Sequence, residues 1–128
     1  MNDLPDINTI EDLNRLPWEP YEFGKIPKRA GCYRFIDIEQ GKVVYVGTSK
    51  NIWHRTMKHI ASGKLDKSKH RVEVVLESDN ARRLMIEARY LDLCKPELNQ
   101  REQHHYWRKL TPNDREEIIR RAYEKIYG

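Results

Sequence analysis

Long apolar runs are missing from this chain. No stretch of its 128 residues approaches the ~20 that a bilayer-spanning helix needs, and the mean hydropathy of −0.89 describes a protein rich in polar surface. The opening MNDLPDINTIEDLNRL is acidic and has neither the basic nor the apolar region of a secretory leader. Cysteine is scarce too. Cys32 and Cys94 have no Cys-x-x-Cys spacing, so they read as two buried thiols in a reducing compartment. His104 and His105 are adjacent, a poor spacing for one metal ion on a helix, which argues against a zinc site. There is no internal repeat and no low-complexity segment. These absences lead to the expectation of one intracellular, cytoplasmic domain with no membrane partner.

Charge is present and unevenly placed. Residues 1–24 hold one basic and six acidic residues, net −5, while residues 25–128 hold 23 basic and 14 acidic, net +9. A body so basic points to a polyanionic partner, most simply DNA.

The order of elements follows from pattern. TIEDLNRL suits a short helix with Thr9 as N-cap and Asp12 closing a capping box. Pro17, Pro20 and Pro27 then break regular structure, so residues 1–29 read as an N-terminal arm anchored by Trp18, Tyr21 and Phe23. CYRFIDI and KVVYV read as the strands of a hairpin. A three-residue loop ending at Gly41 would pair Ile38 with Lys42, Tyr33 with Gly47 and Phe35 with Tyr45. In that register Tyr33 and Tyr45 are diagonal neighbours on one face. A helix follows from Ser49, its expected N-cap, to Gly63; Trp53, Met57, Ile60 and Ala61 make its apolar stripe, with Arg55 and His59 on another face. HRVEVVLE is a further strand. SDNARRLMIEARYLDLCK is a second long helix, with Leu84, Ala88 and Leu91 expected as its core stripe. LTPNDREEIIRRAYEKIY is a third, capped by Thr111 with Pro112 at its first position; its Ile118, Ile119, Ala122 and Ile126 suit packing on the same domain.

Several residues admit a chemical role beside a plain one. Glu87 falls within the expected core stripe of its helix, where a carboxylate needs a partner. It is either a boundary glutamate paired with an arginine or a metal ligand. Arg55 and His59 are either a solvated helix face or a cationic pair aimed at a phosphate, arginine supplying a planar fork of donors and histidine a mobile proton. Tyr33 and Tyr45 are either packing aromatics or phenols whose pKa, normally near ~10, a nearby cation lowers. REQHHYWRK interleaves Arg101, Arg108 and Lys109 with Tyr106 and Trp107, which suits strand gripping and base stacking or a simple amphipathic connector.

Taken together these residues resemble the GIY-YIG nuclease superfamily. The first signature stands as Gly31-Cys32-Tyr33 and the second as Tyr45-Val46-Gly47; the arginine falls at Arg55, a histidine one turn later at His59, the acidic residue at Glu87 and the asparagine at Asn99 in KPELN. Cys32 and Val46 each replace an isoleucine and keep an apolar side chain. The resemblance covers about residues 30–100, the expected catalytic core, with 101–128 as a helical extension. It implies an α/β (α+β) fold, a small three-stranded antiparallel sheet flanked by helices. It also implies a compact, stand-alone endonuclease that hydrolyses DNA phosphodiesters with one Mg2+ (or Mn2+) per active site.

In that reading Glu87 holds the metal and Arg55 offsets charge on the phosphoryl oxygens. Tyr33 takes a proton from the attacking water, assisted by Tyr45 and His59. Gly47 and Asn99 support the site or its phosphate. Lys50, Arg101, Trp107, Arg108 and Lys109 are candidate DNA contacts. Monomer and homodimer both remain open, and the alternative function is a non-catalytic nucleic-acid-binding module that keeps the fold.

Overall fold

Alternation of side chains and one left-handed glycine build the central ribbon. In the computed structural model, which describes residues 7–101 and 111–128, β2 (Gly31–Asp37) and β3 (Val43–Ser49) form an antiparallel hairpin. Gly41 has φ 69°, the left-handed conformation a glycine adopts without strain. The expected Ile38–Lys42 pair does not form. Instead the Asp37 N–H donates to the Lys42 carbonyl at 2.9 Å, closing a four-residue loop. A bulge then shifts the ladder between Phe35 and Ile36, so that Ile36 faces Val43 while Phe35 faces Tyr45. The longer loop and the bulge cancel. Tyr33 lies opposite Gly47 as the sequence predicts, and both tyrosines share a face.

The sheet has four antiparallel strands rather than the expected three. β4 (His70–Leu76) pairs with β2, and β1 (Glu19–Tyr21) pairs with β4, giving the order β1-β4-β2-β3. The extra strand lies in the proline-rich arm. Pro20 has no N–H to give a ladder, and it is tolerated because β1 is an edge strand of three residues.

Helices cover both sheet faces. α1 (Ile10–Asn14) carries the Thr9–Asp12 capping box and packs on α3 (Asn80–Cys94). α2 (Ile52–Ser62) is capped by Asn51, not Ser49: the Asn51 Oδ1 accepts the His54 N–H at 3.1 Å, while the Ser49 hydroxyl closes a turn on Asn51 itself. α4 (Pro112–Tyr127) packs along α2 through the buried Ala122. Two cores result. One lies between the sheet and α2–α4 and contains Tyr33, Phe35, Tyr45, Met57 and Ile60. The other lies beneath α1 and α3 and contains Leu13, Cys32, Val46, Ile86 and Tyr90.

The buried stripe of α3 is Arg83, Ile86 and Tyr90; Leu84, Ala88 and Leu91 face outward, against expectation. Arg83 buries because its guanidinium is matched, donating to the Glu77 and Ser78 carbonyls and to Asn80 Oδ1. Among the described residues no helix is long and apolar enough to cross a membrane.

Candidate active site

Strand alternation sends Tyr33 and Tyr45 toward α2, and the turn of that helix brings His59 to meet them. The Tyr33 hydroxyl and His59 Nε2 lie 3.1 Å apart, one proton being shared in a direction the imidazole tautomer sets. The two phenol rings stack at 6.1 Å, and the Tyr45 and His59 rings meet edge-on at 4.9 Å. All three side chains are sealed from solvent: Tyr33 and His59 are 0% exposed and Tyr45 is 1%. Phe35 wedges between them, 4.9 Å from Tyr45 and 5.4 Å from His59.

Gly47 makes this packing possible. A Cβ there would stand 2.5 Å from both Cζ and the hydroxyl of Tyr33, a distance side chains do not occupy. Gly31 is equally constrained, since its Cβ would run into the Val75 carbonyl. The glycines of the two short signatures are thus fixed by close approach, one to a phenol and one to backbone.

Arg55 sits one turn before His59 on α2 and is half-buried. Two further cations lie on α2 and in the turn after it. Lys58, three residues after Arg55, is buried, and the Lys64 ammonium stands 5.0 Å from the centre of the Tyr45 ring. The spacing of Lys58 from Arg55 was a legible signal; Lys64 was not, because it folds back only after the left-handed Gly63.

Glu87 occupies a different position. It is half-buried on α3, which packs on the opposite sheet face beside Cys32. Burial first, and the Glu87 charge second, push the Cys32 thiol up to about 12, which favours the protonated thiol over the thiolate. Cys94 is half-buried, not buried as expected. The structure therefore gathers Tyr33, Tyr45 and His59, with Arg55 on the same helix, and leaves Glu87 on the helix across the sheet.

Asn99 forms a two-pronged clamp. Its Oδ1 accepts from the Val46 N–H at 2.9 Å and its Nδ2 donates to the Val46 carbonyl at 2.7 Å, satisfying the free edge of β3 as a further strand would. Lys50 is exposed in the turn before α2. The Arg101 backbone ends a 3-10 turn over Glu97–Arg101, and Trp107, Arg108 and Lys109 lie outside the described residues.

The same sheet carries a second polar cluster on its other face. Arg34 donates through Nε to Glu73 Oε1 at 2.8 Å and through Nη1 to Asn14 Oδ1 at 2.9 Å and to the Tyr90 hydroxyl at 3.0 Å. Its guanidinium also lies 4.4 Å from the Trp18 ring centre.

Among the described residues no three His, Cys, Asp or Glu side chains gather where they could share a metal ion. A magnesium ion bound by one carboxylate, water and phosphate does not need such a group. No protein-family model matches the chain, and no curated protein matches it.

Proposed function

We propose that this protein is a metal-dependent DNA endonuclease with a tyrosine, arginine and glutamate site, as its resemblance to GIY-YIG nucleases implies. One observation carries the reading: Tyr33, from the first signature, is hydrogen-bonded to His59 and rests its ring tip on Gly47, from the second. A phenol touching an imidazole at 3.1 Å is a ready proton relay. As the attacking water forms its bond to phosphorus, its proton passes to the Tyr33 oxygen, whose own proton moves to His59 Nε2. The bond from phosphorus to the leaving oxygen then breaks. Tyr45 holds the Tyr33 ring by stacking, and Arg55 offsets charge on the phosphoryl oxygens. Glu87 would hold one Mg2+ or Mn2+, which supplies positive charge to the leaving oxygen and the phosphate. The reading requires the Glu87 carboxylate to reach the same phosphate from α3, on the sheet face opposite Tyr33.

The complete burial of Tyr33, Tyr45 and His59 favours a second reading, a binding module that keeps the fold and grips nucleic acid without cutting it. Nicking of supercoiled plasmid separates the two. The endonuclease nicks with Mg2+, stops in EDTA and stops in Glu87→Ala. DNA retention with no nicking in any lane selects the binding module, and nicking that survives Glu87→Ala removes Glu87 from the site.

A further inference from the structure

The outer side of α4 carries a feature that the proposed site does not use. Three aromatic side chains run across α2 and α4. Trp53 meets Tyr123 at 6.3 Å, and Tyr123 stacks on Tyr127 at 5.8 Å with the rings 16° from parallel. Tyr123 is 41% exposed and Tyr127 68%. The Tyr127 hydroxyl rests against Gly24, where any Cβ would displace it.

Ammonium groups flank this row. Lys28 stands 4.5 Å from the Trp53 ring centre at one end. At the other, Lys67 donates to the Ile126 carbonyl at 2.8 Å and Lys125 to the Ala61 carbonyl at 3.2 Å. Each of these two spends one of its three N–H donors on backbone and keeps the others, in a fixed place, for an anion. A cavity of about 400 Å³ opens beside Tyr127, walled by Lys25 and Lys67 over Phe23. The acidic residues on this side are paired, Glu22 with Lys25 and Glu124 with Arg120.

We infer that this face is a stacking platform for single-stranded nucleic acid, with bases on Tyr127 and Tyr123 and phosphates on the flanking lysines. The inference rests on the nucleic-acid partner proposed above and adds where an unpaired strand lies. A protein or lipid partner would call for exposed aliphatic side chains, but Ile126 packs against the core, Ala122 is buried and Ile118 and Ile119 are half-buried, so the exposed rings are bordered by charged side chains. In duplex DNA the bases stack on one another, so only an unpaired strand can use the rings.

The test is fluorescence anisotropy of the full chain with a labelled oligothymidylate, an abasic strand of the same length and a duplex, all in EDTA so that no strand is cut. Wild type should prefer oligothymidylate. Tyr127→Ala, and more so Tyr123→Ala/Tyr127→Ala, should weaken that binding by roughly tenfold per base lost, leaving abasic binding and plasmid nicking unchanged. Tyr127→Ala removes an exposed ring, so it reports even if the double variant is unstable. Equal binding of base-bearing and abasic strands, wild-type affinity in Tyr127→Ala, or nicking by a protein that ignores oligothymidylate would each overturn the platform and leave the nuclease reading standing. Neither binding nor nicking by wild type would end both.

Discussion

The two faces of one sheet carry polar clusters of opposite character. Beneath α1 and α3, Arg34 is a full charge with a partner for each part of its guanidinium: Glu73, Asn14, Tyr90 and the Trp18 ring. Beneath α2, Tyr33 and His59 share one proton at 3.1 Å, with Tyr45 stacked beside them. Adjacent residues of β2 thus serve different ends. A buried charge tied to four partners holds α1, β4 and α3 in register; it has no proton to give. The Tyr33–His59 hydrogen bond itself adds only about 1 kcal/mol to rings that burial holds in the core, and it can move a proton.

The contrast is broken most severely by Arg34→Met. Removing one partner leaves the largely buried Glu73 carboxylate without its cation, a loss of about 3 kcal/mol or more, read as a lower urea midpoint. Nicking per folded molecule should stay at the wild-type level.

Gly47→Ala sharpens the other face. The new methyl cannot fit 2.5 Å from the Tyr33 ring, so the ring must shift, at a cost of about 1–3 kcal/mol, and nicking should fall with it. Gly41→Ala is the control with the opposite constraint: its backbone is left-handed, with φ 69°, but the space around it is open, whereas Gly47 is limited by the Tyr33 ring alone. It should cost about 1 kcal/mol and leave nicking intact.

The smallest effect belongs to His70, at the hairpin end of β4. Burial holds its pKa below the ordinary value of 6.5 against the pull of Asp66 and Asp37, and its Nδ1 accepts the Asp66 N–H at 3.1 Å, a bond that needs the neutral ring. Because the folded pKa is the lower one, this contribution is complete above pH 6.5 and fades as pH drops below it. Melting temperature should begin to fall there, before the carboxylates titrate, and His70→Gln should flatten that part of the profile.

How much of this was legible in the sequence follows from where polar residues are buried. The hairpin could be read because its two irregularities, a longer loop and a bulge, cancel before reaching Tyr33. The α3 stripe differs from its apolar pattern because Arg83 buries against carbonyls of the segment leading into the helix and Tyr90 against Arg34, whereas spacing of apolar residues places arginine outward. β1 has no strand signature of its own, since a proline in three residues becomes a strand only where β4 pairs with it. Tyr33, Tyr45, Arg55 and His59 stand at readable spacings, whereas Lys64 does not. What spacing did not reveal was that Glu87 sits on the helix covering the opposite face, since that depends on how the second long helix crosses the sheet.

The most direct measurement compares Tyr33→Phe with Arg34→Met by single-turnover nicking, at a temperature where both remain folded. If the α2 face holds the chemistry, Tyr33→Phe loses on the order of a hundredfold or more while costing only about 1 kcal/mol of stability, and Arg34→Met cuts like wild type. Full activity in Tyr33→Phe, or an equal loss in the two variants, would contradict the division of labour between the faces.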